Sequence, residues 1–505
     1  MALVPNEIIA LTPLAILTIA GLAAAILGTL GLKRQGMAGF ALIAIVLAGV
    51  FSFASLYDVP GFGYVRDAVE ALPVSSAGVP TVYGVYDVTP FSVFFAAIFL
   101  LVAGIVVLAS PHSIRERHQG EYYALILFST LGMMVVASAR ELITLFVGLE
   151  LASFCTYALA GFYKKAPDSA EAAMKYFVIG SLSSAVTLYG ISLIYGLAGT
   201  TNLDALSGGL VGAPGLIDPA TGRIAPTLVF GWVFVLTGFA FKVSAVPFHM
   251  WSVDVYDGAP PTVSAFLAAA SKKMGFAAIF KIFIIGLVAV QTNWTFLAAA
   301  LAVVTMTVGN VVALSQTNVR RLLAYSSIAH AGYMLIALPI ATQFALAGGL
   351  LHITTHAFMK AGAFVVVAAV ATLGVSEDLN DWRGLSRRAP FLALAMAIFM
   401  LSFAGIPPFA GFASKFVLFS AAIQAGGWFV WLAVAGVVNS AISLYYYARI
   451  VRTMYVDEGG ATTRLAIPAS AIAAVAIALL GTIVIGLYPA PFYGFAVEAA
   501  ASLIP

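Results

Sequence analysis

Apolar runs of roughly twenty residues follow one another along the whole chain, and few patterns leave so little choice of fold. Wound as a helix at 1.5 Å per residue, each run is long enough to span the ~30 Å hydrocarbon core of a bilayer. The 505 residues are 62 % hydrophobic and 9 % charged, against about 25 % charged in a soluble domain. In lipid every backbone N–H and C=O must be bonded within the protein, which leaves only helices and closed barrels. Barrel strands would run about ten residues with strict alternation, and these runs do neither. The chain is therefore expected to be an all-α polytopic membrane protein seated in the lipid bilayer.

Charged or Gly/Pro-rich breaks divide the chain into fourteen spans, at about 8–31, 37–56, 90–110, 121–138, 140–160, 169–197, 226–247, 261–287, 293–314, 321–341, 344–374, 390–424, 428–452 and 465–488. The first run is too long for a secretory signal core and lacks a basic segment before it, so it reads as a retained span. Connections after odd-numbered spans carry Lys33, Arg34, Arg115, Arg117, Lys164, Lys165, Arg320, Arg321, Arg383, Arg387, Arg388, Arg452 and Arg464; those after even-numbered spans carry only Arg66, Arg140 and Arg223. The positive-inside rule places the first set in the cytoplasm. Both termini and the long loops 57–89 and 198–225 are then expected on the outer side of the cell (plasma) membrane.

The remaining basic residues fall inside the spans: Lys175, Lys242, Lys272, Lys273, Lys281, Lys360, Lys415 and Arg449. Loops favour arginine and the interior favours lysine. Arginine keeps its charge almost regardless of burial, whereas a desolvated lysine can release a proton. A set of intramembrane lysines thus points to proton handling. Glu150 is the carboxylate farthest from any span end and is expected near mid-membrane, as partner or proton donor to a lysine. Lys242 and Lys415 each lie beside a proline break, at Pro247 and at Pro407–Pro408. Neighbours in sequence, Lys272 and Lys273 cannot share a helix face, so one is expected to face inward and the other to snorkel or serve packing. Lys175 reads equally as relay or packing; Lys281 and Arg449 read as ion-pair partners or end anchors. His330, His356 and Lys360 complete a possible relay. His352 and His356 stand one helical turn apart, but a third metal ligand is not evident and no metal site is expected. The expected line is Glu150, Lys242, Lys272, then His330, Lys360 and His356, then Lys415.

Two segments repeat a signature. EAAMK (171–175) opens the sixth span and HAFMK (356–360) lies in the eleventh, and the next span in each case holds a lysine beside a break. A five-helix unit, spans 4–8 matched by 9–13, would be inverted in its second copy, and broken helices in corresponding places mark transport sites. The organisation expected is 1–120 (spans 1–3), 121–287 and 288–455 (the two repeats), and 456–505 (span 14). Cys155 is the single cysteine, which excludes an internal disulfide and a cysteine-held cluster. A net charge of +3 gives no reason to expect a nucleic-acid partner.

LELASFCTYALAGF, SAEAAMKYFVIGS, FKVSAVPFHMWSVDVYDGAPPTVSAFLAAASK, RRLLAYSSIAHAGYML and LSFAGIPPFAGFASKF together resemble the antiporter-like N subunits of respiratory complex I, over about residues 90–455. The resemblance implies fourteen helices, inverted five-helix repeats and discontinuous helices 7 and 12. It implies proton conduction through the membrane arm of a proton-translocating NADH (or other donor):quinone oxidoreductase. Flavin, iron–sulfur clusters and the quinone site would lie in partner subunits of that arm and its extension, with no cofactor in this chain. Matched by motif, Glu150 corresponds to the family's fifth-helix glutamate, Lys242 to its seventh-helix lysine, Lys272 to the eighth and Lys415 to the twelfth. The M-type paralogue carries glutamate where Lys415 stands, and the chain stops short of the L-type lateral extension. HAFMK is closer to the L and M paralogues and to archaeal relatives, which leaves the electron donor open. Two other readings compete: a subunit of a multisubunit Na⁺/H⁺ antiporter sharing the same helix core, and a non-conducting scaffold, against which the intramembrane lysines count.

Overall fold

A computed structural model describes residues 5–114, 118–213, 215–216, 224–459 and 463–504; Arg115, Arg117 and Arg223, used above for orientation, lie outside them. Among the described residues twelve helices are long and apolar enough to cross a membrane. Two further crossings are interrupted: 261–286, which alternates α- and π-helical turns, and the pair Pro390–Ala404 and Ala410–Ala425. Together they make the fourteen expected spans, in the expected order. Spans eight, ten and eleven are buried almost end to end and form the centre, with the more exposed first, sixth and thirteenth spans at the periphery.

Helix association in lipid relies on close packing of small residues, and this chain places glycine where spans meet. In the contact of spans four and five, a Cβ on Gly132 would fall 2.6 Å from the Ala152 nitrogen. In the contact of spans nine and ten, one on Gly332 would fall 2.4 Å from the Met306 nitrogen. The two contacts join corresponding span pairs, four with five and nine with ten, of the expected repeats.

Both expected breaks occur, and they end in the same way. The helix Pro226–Val243 closes on Ser244 in the left-handed region (φ 59°), whose N–H returns to Ala240 and Phe241 oxygens. Pro390–Ala404 closes on Gly405 (φ 88°), whose N–H returns to Leu401 and Ser402 oxygens. The chain resumes as a helix at Met250 and at Ala410. A helix end buried in a membrane leaves carbonyls that must find donors. At the first break Trp251 Nε1 donates to the Phe241 oxygen at 3.0 Å. At the second, Lys415 Nζ itself donates to the Phe403 and Ala404 oxygens at 2.9 and 3.4 Å.

The connections hold structure that span counting does not reveal. Helices Pro5–Ala10, Gly63–Glu70 and Leu203–Gly212 and a hairpin of Thr81–Val82 with Tyr86–Asp87 lie on the side of the membrane where the termini meet. There Ala10, Val69, Leu72, Val82 and Val88 form a small separate core. A further helix, Ala490–Ala501, follows the fourteenth span and packs on the same side, with Glu498 accepting from Tyr57 at 2.7 Å.

Candidate functional site: a polar row at membrane depth

Span five, Leu142–Ala160, presents Glu150 and Ser153 one turn apart. Glu150 is half-buried and accepts from Ser184 Oγ of span six at 2.5 Å. Ser153 faces inward, where Lys242 Nζ donates to its Oγ at 2.9 Å and to the Tyr176 hydroxyl at 3.3 Å. No direct ion pair joins Glu150 to Lys242 among the described residues. The serine between them replaces the expected contact, because Glu150 points toward span six while Lys242 reaches the adjacent inner face.

From Tyr176 an aromatic stack leads inward. Its ring lies flat on Trp251 at 4.4 Å, Trp251 meets the edge of Tyr256 at 6.1 Å, and Lys272 Nζ lies 5.7 Å from the Tyr256 ring centre. Among the described residues Lys272 Nζ has no hydrogen-bond partner, and neither has the Tyr256 hydroxyl or His356 Nε2. Buried polar atoms of this kind are satisfied by water, and an ammonium left without a partner would be costly.

The expectation that one of the two adjacent lysines could snorkel is corrected: both are buried, because span eight has protein on every side. Lys273 Nζ donates to the Ala268 oxygen at 2.8 Å and lies 2.6 Å from His356 Nδ1, joining the first repeat to the second. Lys272 and Lys273 sit directly after the π-helical turn Leu267–Ser271, and such turns in helices frequently mark functional sites.

Beyond this junction lies a histidine group. The His356 ring centre is 4.9 Å from that of His330, whose Nδ1 is 3.0 Å from His352 Nε2. His352 Nδ1 is 2.9 Å from Ser414 Oγ, the neighbour of Lys415. On its other side His330 Nε2 is 3.3 Å from the Tyr447 hydroxyl, which is 2.6 Å from Ser326 Oγ. Lys360 Nζ donates to Ser326 Oγ and to the Leu323 oxygen, each at 3.0 Å. Lys415 Nζ donates to Ser440 Oγ at 3.0 Å and lies 4.8 Å from the Tyr333 ring centre. The structure thus buries Lys242, Lys272, His330, His356, Lys360 and Lys415 in the same interior, with Glu150 half-buried at its flank. Sequence reasoning left His352 and Lys273 out of that set and missed Ser153, Tyr176 and Tyr447. The i, i+4 spacing of His352 and His356 was the available signal for the first; the hydroxyls carry none.

Lys175 belongs elsewhere. Its side chain is 41 % exposed and paired with Glu171 and Asp254, each at 2.7 Å. It lines a cavity of about 760 Å³ on the side opposite the termini, together with Asp168, Asp257, Arg321 and Glu377. Arg321 bridges Asp257 at 3.1 Å and Asp254 at 3.5 Å, and Arg320 pairs with Glu377. Burial raises the Glu377 carboxyl above its ordinary value, against the opposing pull of Arg320.

Residues 139–443, which contain most of the row, match the family model described as NADH:quinone oxidoreductase/Mrp antiporter, transmembrane. The chain belongs to that family. It is 46 % identical over 486 residues to the F(420)H(2) dehydrogenase subunit N of Methanosarcina mazei, covering 92 % of this chain and 96 % of the relative. It is 42 % identical over 455 residues to the NADH-quinone oxidoreductase subunit N of Trichlorobacter lovleyi, covering 89 % and 91 %. Among solved structures, a chain of Thermus thermophilus respiratory complex I superposes with a TM-score of 0.76 at 32 % identity, over 95 % of this chain and 98 % of that one. The N-type resemblance read from the motifs is thereby borne out. A chain of the Mrp complex of a Dietzia species superposes at 0.83 with 20 % identity, over 99 % of this chain and 98 % of that one, which shows a shared fold. Members of the family sit beside other membrane subunits in these assemblies, and this chain is a membrane-arm subunit of the same kind.

Proposed function

We propose that the chain is a proton-translocating N subunit of a complex I-like quinone oxidoreductase, moving protons along the row from Lys242 to Lys415. The observation that supports this reading is the set of buried lysines and histidines spread over both repeats, with hydrogen-bonded segments at Ser153–Lys242–Tyr176, at Lys273–His356 and at His330–His352–Ser414. An apolar packing interface needs none of them, and because each intramembrane charge is costly its presence favours a function. The full-length N-type relatives favour this reading over the Na⁺/H⁺ antiporter, and the buried lysines disfavour the scaffold.

In this reading Glu150 senses a neighbouring subunit. It lies half-buried on a face where Ile143, Val147 and Phe154 are 43–59 % exposed. A carboxylate there is unsuited to lipid, so another membrane-arm subunit covers it. A change of charge in that subunit acts on Glu150 and, across one helical turn, on Lys242. When Lys242 is destabilised as an ammonium, its proton moves by Tyr176 and internal water toward Lys272 and Lys273. It then passes through His356, His330 and His352 to Lys415. The cavity at Lys175 and Asp254 is the cytoplasmic intake, and both termini lie on the outer side of the plasma membrane. Flavin, iron–sulfur clusters and quinone belong to partner subunits.

Proton export measured alongside quinone reduction, in vesicles carrying the intact complex with Lys242→Ala, tests the assignment. Strongly reduced export and turnover with normal assembly are expected; unchanged rates would make Lys242 a structural residue.

A further inference from the structure

Of the buried lysines, Lys281 stands apart from the row. It follows Lys273 by eight residues on span eight, about 12 Å toward the side of the termini, and opens the second π-helical segment, Lys281–Gly286. Its Nζ lies 2.7 Å from Asp87 Oδ2 in the loop hairpin and donates to the Ala139 oxygen at 2.9 Å. Arg140 Nη1 stands 3.5 Å from the same Asp87 oxygen, while its Nη2 and Nε hold Asp204 at 2.5 and 3.0 Å. The four charges cancel, and none of the side chains is more than 5 % exposed. Immediately beyond Arg140 and Asp204 lies a cavity of about 750 Å³, lined also by Thr89 and by Ile285 of the second π-helical segment. The quartet therefore lies between Lys272 and Lys273, higher on span eight, and a cavity on the side of the termini.

Anchoring the hairpin does not require a lysine. The Arg140 N–H already donates to the Val85 oxygen at 2.8 Å, and its carbonyl accepts from Leu203 at 3.0 Å. The cluster uses one cation of each kind: arginine, which keeps its charge, beside the cavity, and lysine, which can give up a proton, on the span that carries the row.

We propose that Lys281 and Asp87 form a proton outlet from span eight to this cavity, distinct from the arm of the row that ends at Lys415. This rests on the reading that the row carries protons. An N–H bond of the Lys281 ammonium breaks as an O–H bond forms on Asp87, leaving a neutral amine and a neutral acid. Asp87 does not itself line the cavity, but Thr89 does and donates to Asp87 Oδ1 at 3.4 Å. The Thr89 hydroxyl takes the proton of the acid as its own passes to water in the cavity, and Asp87 returns to carboxylate, a return that the fixed charge of Arg140 favours. The amine takes its next proton from the Lys272–Lys273 segment through internal water, and the pair is restored with no change of redox state.

The test uses vesicles carrying the intact complex and reads protons exported per quinone reduced, with Lys242→Ala as reference. Lys281→Arg keeps the ion pair and its charge but cannot release the proton. The double variant Asp87→Asn/Lys281→Met removes both charges together, so neither is left buried and unpaired. Both variants are expected to assemble and to export fewer protons per quinone than the wild type, with a loss no greater than that of Lys242→Ala because the arm to Lys415 stays open. Export at the wild-type ratio by either one, with Lys242→Ala impaired, overturns the outlet and leaves the row intact. Wild-type export by all three, Lys242→Ala included, refutes the row and the outlet with it. Failure of both variants to assemble assigns the pair to folding and also overturns the outlet.

Discussion

Ser153 offers a narrow perturbation of the proposed path. Its Oγ is the nearer of the two hydrogen-bond partners of Lys242, at 2.9 Å against 3.3 Å for Tyr176. A hydrogen bond to a charged group contributes about 1.5–3 kcal/mol. Ser153→Ala deletes one oxygen from a buried site and leaves the apolar packing of span five nearly intact. The Lys242 side chain then loses about 2 kcal/mol of hydrogen bonding, roughly a thirtyfold factor. If loading of Lys242 limits turnover, proton export slows by up to about thirtyfold; Ser153→Thr, which keeps the hydroxyl, restores much of it. The assay is the initial rate of proton export during quinone reduction in vesicles, normalised to assembled complex. Wild-type export by Ser153→Ala, or equal loss in Ser153→Thr, would refute the assignment of Ser153 as the group that holds the lysine.

Three further outcomes are expected. Glu150→Gln keeps an acceptor for Ser184 but removes the charge, so the complex should assemble normally and turn over slowly; full activity would mean that Glu150 carries no signal. Arg320→Met leaves Glu377 and the Asp257 and Ala259 carbonyls without their buried donor, a loss of about 3 kcal/mol, read as a lower unfolding temperature of the purified complex. Gly411→Ala would place a Cβ 1.8 Å from the Ser402 backbone oxygen and should reduce the amount of assembled complex; normal assembly would show that the second break can widen.

The spans and the two breaks were legible because membrane burial writes them into long apolar runs, and proline, at Pro247 and at Pro407–Pro408, marks where a run cannot continue. Intramembrane charge was legible for the same reason: Lys242, Lys360 and Lys415 stand out against apolar neighbours. What joins them was not. Ser153, Tyr176 and Tyr447 are ordinary residues for a membrane helix, and only the packing of spans five, six and thirteen turns their hydroxyls toward the lysines and histidines. That neither Lys272 nor Lys273 snorkels was not legible, because a helix with one lipid face admits only one of two adjacent lysines inward, whereas span eight has no lipid face. The small hairpin and the helix Ala490–Ala501 escaped notice because their residues read as loop or as the tail of a span.

The account depends most on the row being continuous where the two repeats meet, and that junction is the 2.6 Å contact of Lys273 with His356. The decisive measurement is protons exported per quinone reduced in the intact complex with His356→Met, a buried, unbranched replacement that cannot carry a proton. The account predicts normal assembly with export sharply reduced. Export at the wild-type ratio would contradict a row that passes through His356.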